Sequence, residues 1–292
     1  MKKGRYLISL FIASLCYGSA SILIRLIRNL NFLTITFYRL LISSLIIILI
    51  SLFLGELKVK YERKYLLILT SGFLLSIHFT FFILAVQKTS VANATFFVNT
   101  SPIFVAFLSP FLLKEHVSKS EVASVLMAIF GIFIASINLG ESYFASQNIL
   151  GDLSAIASAL LYCLYTIIGR KVRTSTSNWL YLSYVYSIAT LTTLLQTPIW
   201  ASPIETPQTI HNFILLFALA VIPTLFGHGL YNYALVGAKA VIANIIAILE
   251  PSIASLLAFF IFTEVPMINQ IVGYLIIIGA ISLVALKSTK TS

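Results

Sequence analysis

Four ionisable groups of this 292-residue chain stand inside long apolar stretches: Arg39, His78, His228 and Glu250. An arginine at the centre of a bilayer costs about 2.5 to 3.5 kcal/mol, so Arg39 needs either a partner or water. Its planar guanidinium fork suits a carboxylate or another anionic group. The alternative is that it snorkels to an interface, since it lies only seven residues into an apolar run beginning at Phe32. Glu250 precedes Pro251 in the middle of another run. A neutral carboxylic acid is far cheaper to bury than a carboxylate, which makes Glu250 a candidate for proton coupling or for binding an amine. Its structural reading is a hydrogen bond to a carbonyl freed by the proline. His78 and His228 titrate near neutrality and are candidates for a proton relay, or else simple interior hydrogen-bonding groups.

Polar and aromatic residues accompany these groups at helical spacing. Thr224, Tyr231 and Asn232 fall on the face of His228 at i−4, i+3 and i+4. Tyr17 heads a similar stripe with Ser14 and Ser21, and Tyr162 and Tyr165 form one with Ser158 and Thr166. Such stripes hold an amphipathic solute by a few hydrogen bonds against ring faces, or serve as packing glue between helices. The expected binding set is Arg39, Tyr17, Tyr162, Tyr165, His228, Tyr231, Asn232 and Asn93, with Glu250, His228 and His78 as proton-coupling candidates. Asn99, beside Asn93 in the fourth run, is a further candidate for the cavity; both match the Asn-x-Ser/Thr pattern, but an acceptor inside a membrane helix is not a credible glycosylation signal.

The elements that must position these residues follow from composition. With 59% hydrophobic and 10% charged residues and a mean hydropathy of +1.01, the chain cannot be an ordinary soluble domain. A spanning helix takes about 20 apolar residues, and ten such runs can be counted: 5–27, 32–54, 65–87, 91–113, 119–138, 149–170, 178–199, 211–236, 239–262 and 267–286. The first continues past Ala20 with no small-residue cleavage site and reads as a retained helix. Basic residues fall on alternate loops: Lys2 to Arg5, Lys58 to Lys64, Lys114 and Lys119, Arg170 to Arg173, Lys239, and Lys287 with Lys290 on one side, against Arg25, Arg28 and Lys88 on the other. The positive-inside rule then places both termini in the cytoplasm. The net charge of +10 is accounted for by these loops, and no single basic face suggests nucleic acid. Cys16 and Cys163 are too few for a disulfide framework or a zinc site, and no metal or cofactor is expected.

The chain repeats itself. An offset of 149 aligns Ala85 with Ala234, Ala94 with Ala243, Pro102 with Pro251 and Glu115 with Glu264, while an offset of 145 aligns Tyr17 with Tyr162 and Arg25 with Arg170. Two units, 1–140 and 141–292, each hold five runs. An odd number of crossings makes the halves enter from opposite sides, an inverted-topology repeat. Small residues recur in the ninth run from Ala240 to Ala258, and Gly131, Ala135, Gly273 and Gly279 mark the fifth and tenth runs as close-packing scaffold, within one chain or in a homodimer. Glu115 and Glu264, at run ends, are placed to cap neighbouring helices or to pair with loop cations, with a role in gating as the lesser alternative.

The sequence resembles the EamA-like members of the drug/metabolite transporter superfamily over essentially its whole length. The match is carried by Phe37-Tyr38-Arg39, Ala85, Ala92 and Ala94, Ser101-Pro102 and Glu115, then by Tyr231 to Ala234, Ala240 to Ala243, Leu249-Glu250-Pro251, Glu264, Gly273 and Gly279. The resemblance implies an all-α membrane protein of ten helices around a central cavity, with small metabolites such as amino acids as usual cargo. Tyr186 stands where the second half would repeat Arg39, so a site built on Arg39 is asymmetric. The expected function is a secondary transporter, an exporter of small organic metabolites in the plasma membrane. Its rivals are a carrier of larger cargo such as a nucleotide sugar or lipid precursor, and a non-transport scaffold. No nucleotide-binding or hydrolase motif points to an enzyme or a pump.

Overall fold

In hydrocarbon every backbone N–H and C=O must be bonded within its own segment, so apolar runs of this length become helices. The computed structural model describes residues 2–57, 64–89, 91–137, 149–263 and 265–290, with the side chains of 2, 3, 91–93 and 288–290 excluded. Asn93 as a side chain and Glu264 therefore lie outside the described residues, as do Lys58, Lys60 and Arg63. In chain order the helices are α1 (Lys2–Leu26), α2 (Phe32–Phe53), α3 (Lys64–Lys88), α4 (Val91–Val98), α5 (Ser101–Leu112), α6 (Lys119–Ser136), α7 (Ile149–Arg173), α8 (Asn178–Trp200) and α9 (Ile210–Leu219). A π-helical stretch, Ala220–His228, leads into α10 (Gly229–Ala234), followed by α11 (Ala240–Ala247), α12 (Glu250–Phe262) and α13 (Ile268–Lys290).

Side-chain caps set several of the starts. Asn31 accepts from the Thr34 amide at 2.8 Å, Ser177 caps α8, and Ser118 with Glu121 forms a capping box on α6. Two of the expected runs are broken in the middle. Residues 91–113 divide into α4 and α5 just before Pro102, and 239–262 into α11 and α12 just before Pro251. Proline has no N–H to give and its ring clashes with the carbonyl four residues back. The breaks occupy matching places in the two halves, and each puts the start of a half-helix in the interior.

Among the described residues nine segments are long and apolar enough to cross a membrane. Asn178–Trp200 has the length but is not among them. Its polar side chains point into the bundle: Ser183 meets Ser51 at 2.7 Å, Ser187 meets Ser44 at 2.9 Å, Thr193 meets Ser76 at 2.8 Å, and Tyr181 meets Ser71. These bonds fasten α8 to α2 and α3.

The most extensive helix contacts join α3 to α7, α6 to α13 and α2 to α8, and α1 packs on the π-helical stretch and α10. Each of these pairs unites an element from before residue 138 with one from after residue 148. The α6–α13 contact is close because Gly131 and Gly273 face each other, and a Cβ on Gly273 would run into the Gly131 carbonyl and Ala135. The expected scaffold role of these glycines is what the backbone requires. Loops gather at the two ends of the bundle. Asn31 donates to the Pro203 carbonyl, Gln87 to that of Leu30, and Thr89 to Asp152 at one end. At the other, Tyr6 packs against Tyr233 and Asn178 donates to the Gly229 carbonyl.

Candidate functional site

Between the two half-helix starts lies a cavity that reaches Tyr17 on α1, Arg39 on α2, His78 and Phe79 on α3, Tyr162 on α7, His228, and Glu250 on α12. Arg39 does not snorkel. It is 1% exposed, its Nε donates to Thr224 Oγ1 at 2.6 Å, and its Cζ stands 3.7 Å from the centre of the Phe79 ring. The ring face supplies a negative quadrupole to the cation. Its Nη1 is buried with no hydrogen-bond partner, while the residue itself lines the cavity. Such a guanidinium nitrogen is a donor prepared for an anionic oxygen.

Thr224 owes its position to the π-helical stretch, where it donates to the Leu219 carbonyl five residues back at 2.9 Å. The wider turn leaves the Thr224 carbonyl available to Tyr186, whose hydroxyl donates to it at 2.9 Å. Tyr186, the residue at the place matching Arg39, thus buttresses the same threonine that orients the arginine.

The two histidines sit on the cavity with different surroundings. His78 Nδ1 lies 2.8 Å from Ser158 Oγ and 2.9 Å from the Ser158 carbonyl, and Ser158 Oγ is 3.1 Å from the His78 carbonyl. With its proton on Nδ1 it donates to the carbonyl and keeps Nε2 as an acceptor. His228 has an unpartnered Nδ1 and is held by ring contacts, with Tyr17 at 4.8 Å and Phe79 at 5.0 Å between centroids. The Tyr17 and Tyr162 hydroxyls meet at 3.3 Å.

Of the other residues expected to bind, Tyr165, Tyr231 and Asn232 do not line the cavity. They form a layer behind it, in which Asn232 Nδ2 donates to the Tyr165 hydroxyl at 2.6 Å and to the His228 carbonyl at 2.7 Å. Tyr231 lies behind the Tyr17–Tyr162 pair, with its ring 5.7 Å from that of Tyr162. Asn99 lines the cavity as the sequence allowed, and two further polar lining residues were not expected. Ser101 donates to Asn244 Oδ1 at 2.9 Å, and Asn244 Nδ2 donates to the Tyr231 hydroxyl at 2.6 Å. Ser101 was open to discovery through the repeat, because it precedes Pro102 as Glu250 precedes Pro251. Asn244 carries no comparable signal. Ala247, expected in a close-packing stripe, is part of the cavity wall.

A second, larger cavity lies between α1, α6, α12 and α13, at the end bearing Arg25, with Ser21, Arg25, Thr95 and Tyr274 on its walls. Arg25 stacks over Phe262 at 4.5 Å there. Among the described residues no cluster of three or more His, Cys, Asp or Glu side chains is placed to hold a metal ion.

Two broken helices meeting at a cavity between two sequence repeats is an arrangement of carriers. The EamA-like transporter family matches residues 4–137 and again residues 149–286. The chain belongs to the EamA-like transporter family. A relative from Archaeoglobus fulgidus, named an uncharacterized transporter, is 24% identical over 212 residues, 72% of each chain. Another so named, from Clostridium kluyveri, is 24% identical over 200 residues, which are 68% of this chain and 64% of that one. A solved crystal structure shares the fold with a TM-score of 0.82 at 18% identity, over 96% of this chain and 98% of that one. This EamA-family protein is a multi-pass membrane protein of a transporter family.

Proposed function

We propose that the protein is a secondary transporter of small organic metabolites bearing an acidic group, amino acids among them, and that it exports them across the plasma membrane. The observation that carries this reading is Arg39, fully buried on a cavity between the two repeats with one guanidinium nitrogen unpartnered. In this reading Arg39 fixes the acid, Tyr17, Phe79 and Tyr162 hold the body of the solute, and Glu250 or a histidine links binding to protonation.

The chain crosses the bilayer ten times, as two inverted five-helix repeats with both termini in the cytoplasm. Support comes from the nine apolar segments together with α8, whose polar face is spent on α2 and α3. The reciprocal pairing of the halves, α1 with the π-helical stretch and α3 with α7, is what a two-fold axis in the membrane plane would generate. Rocking one half against the other then exposes the cavity to each side in turn. A single lining arginine suits a small monoacid better than a nucleotide sugar, whose phosphates call for more cations.

The test compares wild type and Arg39→Ala at equal abundance, reading small-molecule pools in cells and medium and then flux in proteoliposomes. Acidic metabolites are expected to shift only with wild type. An equal shift with both proteins would remove Arg39 from the site, and a wild type that moves none of the acidic pools would remove the transport reading itself.

A further inference from the structure

Two ion pairs close the bundle at the end that carries Lys114, Arg170 and Lys239. Glu115 Oε1 accepts from Arg170 Nε at 2.7 Å, and its Oε2 accepts from the Ala240 amide, the first of α11, at 3.2 Å. Arg170 Nη1 donates onward to the carbonyls of Leu235 and Val236, just past α10, at 2.5 and 2.9 Å. Lys239 Nζ reaches both Glu121 oxygens at 3.0 and 3.2 Å and the His116 carbonyl at 2.8 Å. Both carboxylates belong to the first family-matched segment and both cations to the second, so the two ion pairs and the bonds to the Ala240 amide and the His116 carbonyl cross between the halves, while the Arg170 bonds to Leu235 and Val236 stay within the second. The elements they tie together include α5, α7 and α11, which bring Ser101, Tyr162 and Asn244 to the cavity. From outside, a cleft lined by Lys114, Glu115, Arg170, Lys171 and Thr174 runs up to the first pair.

We propose that the Glu115–Arg170 and Glu121–Lys239 pairs are the cytoplasmic gate of the cavity and part whenever it opens to that face. The assignment rests on the alternating-access reading given above. Arg170 keeps 20% of its side chain exposed and Lys239 39%, so the cations can exchange partner for water, while the more buried Glu121, at 7%, keeps the Ser118 amide as a donor when Lys239 leaves. That suits contacts that break and reform in every cycle. The buried bond from Asn232 to Tyr165 has no water to take over and stays within one half. The segregation of sign, acids on one half and bases on the other, lets the halves rejoin in a single register.

Thiol labelling tests the gate without knowledge of the cargo. Ala247→Cys, on the cavity wall, is placed in a Cys16→Ser, Cys163→Ala background and exposed to a membrane-impermeant maleimide in inside-out and right-side-out vesicles. Glu115→Gln keeps an oxygen for the Ala240 amide while removing the charge. Combined with Glu121→Gln, it is expected to raise labelling from the cytoplasmic face about tenfold, without a rise from the outer face. Arg170→Gln should act like Glu115→Gln, and the two together should add little to either alone. Unchanged cytoplasmic labelling would overturn the gate, and so would an equal rise from both faces, which marks general loosening. A gate that behaves as expected in a protein that moves no acidic metabolite in proteoliposomes would instead count against the transport reading.

Discussion

Thr224→Val separates positioning of the Arg39 guanidinium from its charge. The substitution keeps the shape of Thr224 and removes the oxygen that accepts from Arg39 Nε at 2.6 Å. A hydrogen bond to a charged group contributes about 1.5 to 3 kcal/mol. At 1.4 kcal/mol per tenfold, its loss weakens cargo binding by about 10- to 150-fold if the bond serves to aim the free Nη1 at the cargo. Some of that loss is recovered because the Phe79 ring, 3.7 Å from Cζ, still holds the guanidinium plane, so a value near tenfold is expected. The assay is the concentration dependence of initial flux in proteoliposomes, where KM should rise about tenfold with little change in maximal rate. Arg39→Lys retains the charge but has no Nε, so Thr224→Val should have little further effect in that background. Fully additive effects of the two substitutions would refute the argument, because they would mean that Thr224 acts on transport by a route that does not pass through Nε.

Glu250→Gln imitates the protonated acid, so its flux should cease to follow an imposed pH gradient that drives the wild type; flux measured with and without the gradient checks this. Asn244→Leu leaves Ser101 and the Tyr231 hydroxyl without their shared partner. It should cost about 1 to 3 kcal/mol of stability, visible as a lower melting temperature in detergent. Gly273→Leu should abolish monodisperse protein, since any side chain there strikes the Gly131 backbone, whereas Gly4→Ala, with open space around it, should purify like wild type. Size-exclusion chromatography of the two variants makes that comparison.

Much of this architecture was readable from residues alone, because lipid leaves the backbone so few options. Apolar run length marked the helices, even where Tyr, Ser and Thr dilute the seventh run, which became α8. The breaks beside Pro102 and Pro251 were less visible, since the apolar character continues across both. Prolines in matched places were the available clue. The π-helical turn around Pro223 left no mark in the pattern, and with it the contact between Thr224 and Arg39 was hidden. The stripe of His228, Tyr231 and Asn232 shows the difference between a face and a depth. Helical spacing identified the side that turns inward, but only the meeting of Tyr17 with Tyr162 decides that His228 reaches the cavity and Tyr231 stays behind it. Asn244 is an isolated amide in an apolar run, and its partners come from α5 and α10, which no local pattern connects.

The polarity of α8 has a consequence for how the protein is made. Insertion of a helix into the bilayer depends on its apolarity, and a segment carrying Tyr181, Ser183, Tyr186, Thr190, Thr193 and Gln196 has little to offer lipid by itself. Its hydroxyl partners, Ser44 and Ser51 on α2 and Ser71 and Ser76 on α3, are synthesised first. On the ten-span reading proposed above, the first half would act as an intramolecular receptor that draws α8 out of the translocation channel and into the membrane. A chain stripped of α2 and α3 should leave this segment on the membrane surface and turn every later helix upside down, which glycosylation-site mapping of the truncated chain would reveal.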